Sequence, residues 1–303
     1  MVPGLPAAVA PFPVTAPHRV VPSPRPVDGP VQVELDDAWP AALTRRLERL
    51  VGDRDGVLVG GPVTTPGLRL ALQEAFALLP GGVGALPLLG VRCAGDLLVR
   101  TGVSVCEPAT ELLLDQEPAD QLAVAWVLAC SDDLVVLHRT GSGTLEAELL
   151  AVAFPSGWPP RLRAGASLLE LHAPVADGDR LQRAAPALSE AVLTKGPLRQ
   201  HVWGLDPDGR LDRDPSAPDA PSGPAPADPA AWFLRVERQT SIALPHLDRA
   251  LFTIRPHLTP LPALAPARCV VLADAIASMG PAARAYKGIT DVADDLVAWL
   301  GAR

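Results

Sequence analysis

The chain has 303 residues, with 26 basic and 34 acidic side chains and a net charge of −8. That length and a hydrophobic share of 48% allow a large core and exclude a wholly disordered chain; the acidic balance, with Lys195 and Lys287 the only lysines, excludes a general nucleic-acid binder. The 35 prolines cannot all sit inside helices and central strands, so much of the chain must be linker and turn.

Residues 1–34 are proline-punctuated and are expected to lie extended over the surface or to be partly disordered. From Trp39 to Leu50, Leu43, Leu47 and Leu50 recur on one helical face. A short strand is expected at 56–59, helices at 68–79 and 119–130, and glycine-rich turns around 81–84. Two apolar runs, 133–138 and 145–154, flank Thr140-Gly-Ser-Gly-Thr144 and predict a hairpin. A helix is expected over 180–193. Seven prolines within 206–231 predict an insert without packed structure. Alternating apolar and charged residues at 232–240 and 250–255 predict a second hairpin, and helices at 269–278 and 289–300 close the chain. Strands and helices do not alternate regularly, which favours an α+β fold, a mixed sheet with flanking helices, over a doubly wound one. The organisation expected is therefore a proline-rich segment 1–34 and a single α+β domain 35–303 that carries the insert.

Several chemistries are excluded by what the sequence lacks. Cys93, Cys106, Cys130 and Cys269 lie too far apart for a paired-thiolate zinc or iron–sulfur site. No phosphate loop, dinucleotide fingerprint, nucleophile elbow or H-E-x-x-H motif occurs, and Gly60-Gly61 and Gly81-Gly82 lack the strand-to-helix context of a phosphate cradle. The chain opens Met-Val-Pro-Gly-Leu-Pro without a basic n-region, and no run of apolar residues is long enough to span a bilayer. A cytoplasmic protein with free thiols and no membrane partner is the expectation.

Chemistry-bearing residues concentrate in Phe154-Pro-Ser-Gly-Trp158, Leu171-His-Ala-Pro-Val175, Arg235-Val-Glu-Arg-Gln-Thr240 and Phe252-Thr-Ile-Arg255, followed by Pro260-Leu261. On a strand, Arg235, Glu237 and Gln239 share one face, and Arg238 and Thr240 the other. Five polar side chains in six positions need ligands or ion pairs if that strand is buried.

In this order the four blocks resemble the haem-dependent oxidative N-demethylase-like family, over roughly residues 112–262. The resemblance implies a haem-binding domain related to the PAS fold. It also implies oxidation of an N-methyl amine by dioxygen to the demethylated amine and formaldehyde, with electrons from a separate reductase. A haem-binding sensor or ligand-binding module without turnover is the alternative. The family's Arg-x-Asn-Trp segment is altered here to Arg199-Gln-His-Val-Trp203, and Tyr286, the only tyrosine, falls outside the matched region.

On that basis His172 is the first choice for the iron ligand and His201, beside Trp203, the second. Glu237 is the partner for a small cationic amine, unless it only neutralises Arg235 or Arg238. Arg238 and Arg255 could pair with haem propionates, or be solvated strand-face cations. Trp203 is a further cofactor-side candidate, though packing in the core is the stronger reading for it, as for Trp158 and Phe252.

Overall fold

The computed structural model describes residues 5–19, 24–29, 31, 33–60, 63, 65–94, 97–167, 170–171, 179–221 and 223–303, the side chains of 179–182 excepted. After the two-residue strand β1 (Arg25–Pro26) come α1 (Trp39–Gly52), α2 (Arg54–Val57), β2 (Leu58–Gly60) and α3 (Pro66–Ala77). A small hairpin, β3 (Val91–Ala94) with β4 (Leu97–Arg100), leads to α4 (Glu107–Leu114) and α5 (Pro118–Ala129). Then come β5 (Asp133–Arg139), β6 (Leu145–Ala151), α6 (Asp179–Thr194), β7 (Leu198–Asp206), β8 (Phe233–Leu244) and β9 (Arg249–Pro260). The helices α7 (Pro266–Ala277), α8 (Pro281–Tyr286) and α9 (Ala293–Gly301) end the chain. Among the described residues no helix is long and apolar enough to cross a membrane.

Seven strands form one sheet in the order β1-β7-β8-β9-β5-β6-β2. Every pairing in it is antiparallel, so the α+β class holds but the expected mixed sheet does not. The reason is local: β5–β6 and β8–β9 are hairpins, and no crossover lays a strand parallel to its neighbour. β8 and β9 carry the alternation that the sequence predicts. They turn through Pro245–Leu247 and then Asp248, the one described non-glycine residue with positive φ, at 50°.

The sheet's two faces bury different partners. One packs Leu134, Val136 and Leu251 against α1, α3 and α5, and Leu234 and Val236 against α7–α9. The other packs Val135, Leu137, Leu150 and Phe252 against Leu188, Val192 and Leu193 of α6. The central helix α5 is buried on every side from Gln121 to Ala129, which is why it reads as a continuous apolar run with little periodicity. Gly60 ends β2 with φ of 127°, where a Cβ would stand 2.5 Å from the Glu148 carbonyl; its glycine serves strand packing.

Among its described residues the N-terminal segment is extended over the surface and anchored there: Val14 is buried, Phe12 lies under Arg268, and the Asp37 carboxylate accepts from the Ala8 N–H. One expectation needs correction. The insert is also tied down. Asp212 and Asp214 pair with Arg49 of α1, at 2.9 and 3.2 Å, and Asp214 is almost fully buried. Prolines deny a segment secondary structure, yet they leave its acidic side chains free to find buried cations.

Candidate functional site

β8 divides the chemistry between the two faces. Arg235, Glu237 and Gln239 point to the α6 side. Glu237 is 9% exposed, and both carboxylate oxygens are held by neutral donors. Ser156 Oγ donates to one in a very short hydrogen bond, and Gln239 Nε2 donates to the other at 2.9 Å. Each donor is itself held. Gln200 Nε2 donates to Gln239 Oε1 at 2.9 Å, and Arg235 Nε donates to Ser156 Oγ at 2.6 Å, leaving the Ser156 proton for Glu237. The Arg235 guanidinium also reaches the Phe154 carbonyl at 3.0 Å, the Leu211 carbonyl at 2.9 Å and the Asp206 carboxylate at 3.3 Å. Asp206 also pairs with Arg213 at 3.0 Å; burial pushes its carboxyl up in spite of both arginines. No cation bonds Glu237 directly among the described residues. It is neither Arg235's ion-pair partner nor Arg238's.

Farther along the same face the α6 side is apolar. Val135, Phe252, Leu188 and Trp158 cluster there, Phe252 opposite Ser241 four positions along β8 from Glu237, and Leu171 packs against the same group. His172 follows Leu171 in sequence but lies outside the described residues.

Arg238 and Arg255 stand on the opposite face, directly across β8 and β9 in register, with His201 next in the row on β7. Arg238 pairs with Glu34 at 2.7 Å and lies 3.6 Å from Asp132. Burial works against ionised Glu34, but the hydrogen bond and charge of Arg238 hold its carboxyl below the usual range. Arg255 Nη2 donates to both Asp36 oxygens at 2.8 Å. Burial, then the Arg199 and Arg238 charges, lower the His201 pKa. Trp203 shares this face and is half-buried. Lys287 Nζ donates to its carbonyl at 2.6 Å and lies 4.7 Å from its ring centroid. Burial lowers the Lys287 pKa to about 8.

The residues singled out in the sequence are thus not one constellation. Glu237 faces α6; Arg238, Arg255, Trp203 and His201 face the other way. Ser156, Gln200 and Gln239 hold Glu237, and sequence reasoning gave them no role. Ser156 could have been found, since it is the serine of the Phe-Pro-Ser-x-Trp block. Gln200 carries no signal until β7 is paired with β8.

A family model described as haem-dependent oxidative N-demethylase, alpha subunit-like, matches residues 102–297. The chain belongs to this family. No curated protein matches it. The match starts at Gly102, so α5, the five inner strands of the seven-stranded sheet (β5 to β9) and the Glu237 network fall inside it, while Glu34, Asp36 and Arg46 fall outside.

The haem of this N-demethylase-like family can be tested against the donor chemistry. A porphyrin needs an apolar slot, and its iron an imidazole. The α6 face offers aromatic and aliphatic side chains and carries the buried Glu237 carboxylate. The opposite face offers two imidazoles, but the arginines beside them already have carboxylate partners from this chain. On apolar character alone the α6 face suits the group better, while the imidazoles His201 and His257 stand on the other face.

Proposed function

We propose that the chain is the haem-bearing oxidative N-demethylase subunit of its family, oxidising a small N-methyl amine with dioxygen to the demethylated amine and formaldehyde. The observation that supports this reading is Glu237: a buried carboxylate whose hydrogen-bond partners are all neutral and fixed, on the sheet face that also carries an apolar layer. A dehydrated methylammonium needs such a group, because a cation stripped of water is stable only beside an opposed charge.

In this reading residues 35–303 are the haem-binding domain, with 1–34 lying over it, and the sheet and α6 cup the cofactor as in a PAS-like fold. His172 is the iron ligand. Bound haem would supply dioxygen activation. The protein's own part is binding and orientation. Glu237 accepts an N–H of the amine. Ser156 and Gln239 prevent the carboxylate from rotating, which fixes where the N-methyl carbon points. Trp158, Phe252 and Leu188 keep water from the site, and so strengthen the Glu237–ammonium attraction. Arg238 and Arg255 are assigned to holding Glu34 and Asp36 on the far side, and Trp203 to the Lys287 contact. Electrons come from a separate reductase, because the chain has neither an iron–sulfur motif nor a dinucleotide fingerprint; the subunit partners are those that an alpha subunit implies.

The test is haem reconstitution of the full chain and of His172→Ala and His201→Ala, followed by amine-dependent formaldehyde release with a surrogate reductant. A Soret band lost only in His172→Ala, with release in the wild type, is the expected result. A band that survives His172→Ala removes the ligand assignment. A band with amine-induced shifts but no formaldehyde leaves a binding module instead of an enzyme.

A further inference from the structure

A second site lies away from Glu237, on the other side of the sheet. A cavity of about 330 Å³ opens between β9, the start of α1 and the N-terminal segment. Three of its lining residues are polar and almost fully buried: Ser131 at 2%, Arg255 at 4% and His257 at 7% exposure. Each has hydrogen-bonding capacity left over. Arg255 gives only Nη2 to Asp36, so among the described residues its Nε and Nη1 have no partner, and neither do Ser131 Oγ and His257 Nε2. The remaining walls are apolar, from Ala10, Ala38, Ala42, Phe154 and Leu211.

The chemistry of these groups selects a ligand class. A guanidinium only donates, so its free N–H groups require an acceptor; the serine hydroxyl and an Nε2–H imidazole can donate in the same direction. Unmet, such buried donors each carry a desolvation penalty. Arg46, wholly buried on α1 and paired with Asp133 at 2.9 Å, stacks its guanidinium 4.5 Å from the Phe154 ring centroid. The apolar walls exclude a bare, hydrated ion as the best occupant. We propose that this cavity binds a small monocarboxylate with an apolar body, of benzoate or short fatty-acid size, its carboxylate against Arg255, Ser131 and His257. A volume of this size is at the lower end for small-molecule pockets, which suits such a ligand. Ala10, Ala38 and Ala42 lie before residue 102, outside the family match.

The experiment is calorimetric titration of the haem-reconstituted full chain with benzoate, butyrate and the neutral isostere benzamide, with the Soret band followed in parallel. Saturable benzoate or butyrate binding is expected with the Soret band unmoved, and benzamide about tenfold weaker or worse. Ala42→Leu and Ala10→Leu each fill the cavity from a different element, and either should weaken benzoate by about tenfold while leaving haem content unchanged. Ser131→Ala should weaken it several-fold. Any of four results overturns the proposal: no saturable carboxylate binding, equal affinity for benzamide, binding indifferent to both cavity-filling variants, or a Soret shift that tracks benzoate occupancy and so puts the ligand at the iron.

Discussion

Glu237 and Arg238 are neighbours in β8, yet their side chains serve opposite sides of the sheet: Glu237 meets Ser156 and Gln239, Arg238 meets Glu34 and Asp132. A strand's period of two makes this unavoidable. One planar cofactor cannot touch both residues, so the catalytic reading rests on Glu237 and the far-side arginines carry structure.

Glu237→Gln isolates that role. The amide keeps the shape and accepts the Ser156 hydroxyl on its carbonyl oxygen, but carries no charge, and its NH2 gives up the hydrogen bond from Gln239 Nε2. Amine binding, read from the amine-induced spectral change, should weaken about a hundredfold, near 3 kcal/mol, with the haem spectrum retained. Formaldehyde release should fall with it. Unchanged amine binding would remove Glu237 from the site.

The insert gives a prediction opposite to the one its composition suggests. Deleting 208–227 removes Asp212 and Asp214 and leaves the Arg49 guanidinium buried with only Asp53, 3.7 Å away, as partner. Breaking such a buried pair costs about 3–5 kcal/mol, so the deletion should lower the thermal midpoint clearly. Changing the exposed Gly223, Pro224 and Ala225 to serine should stay within about 0.5 kcal/mol. Equal melting of the two variants would show that the Arg49 pairs contribute nothing.

Arg46 and Asp133 make a similar case in the core. They lie 2.9 Å apart with neither side chain exposed, and the Asp133 carboxylate also accepts the Ala153 and Phe154 N–H groups. Burial pushes its carboxyl up, and Arg46 opposes that. Arg46→Ala should therefore destabilise by about 3–5 kcal/mol. Arg45→Ala, which breaks the exposed pair with Glu48, should cost about 0–1 kcal/mol. Urea unfolding of the two variants measures the difference.

How far the sequence foretold this depends on how far apart the interacting residues lie. The β8–β9 hairpin was legible because alternation and the turn are local. The Glu237 face followed from strand periodicity alone. β7 was not, because Arg199-Gln-His-Val-Trp-Gly204 mixes polar residues with a glycine; its strand state comes from pairing with β8 across the insert. The partners of the arginines were out of reach: Asp36 meets Arg255 across 219 residues, and Asp214 meets Arg49 across 165. Nothing in a one-dimensional pattern chooses among 34 acidic residues. The contacts that anchor the N-terminal segment were out of reach for a related reason, since proline marks where regular structure stops and says nothing about burial.

His257 yields a prediction in pH. Burial first, then the Arg255 and Arg238 charges, lowers its pKa to about 4, against about 6.5 for an unperturbed histidine. Between those values the unfolded chain binds a proton that the folded chain refuses. Stability from this group is therefore complete above pH 6.5 and is lost as pH falls towards 4, by up to about 3 kcal/mol. Asp132 and Asp206, whose carboxyls burial pushes up, act in the opposite sense, so the total profile is a sum of both. The difference between wild type and His257→Gln cancels their share. That difference should shrink steadily from pH 7 to pH 4.5 in urea unfolding, because the variant has no imidazole to protonate. If the two stability curves run parallel over that range, His257 takes up its proton as readily in the folded chain as in the unfolded one. Its Nε2 would then not be the neutral, unpartnered nitrogen that the cavity beside Arg255 requires.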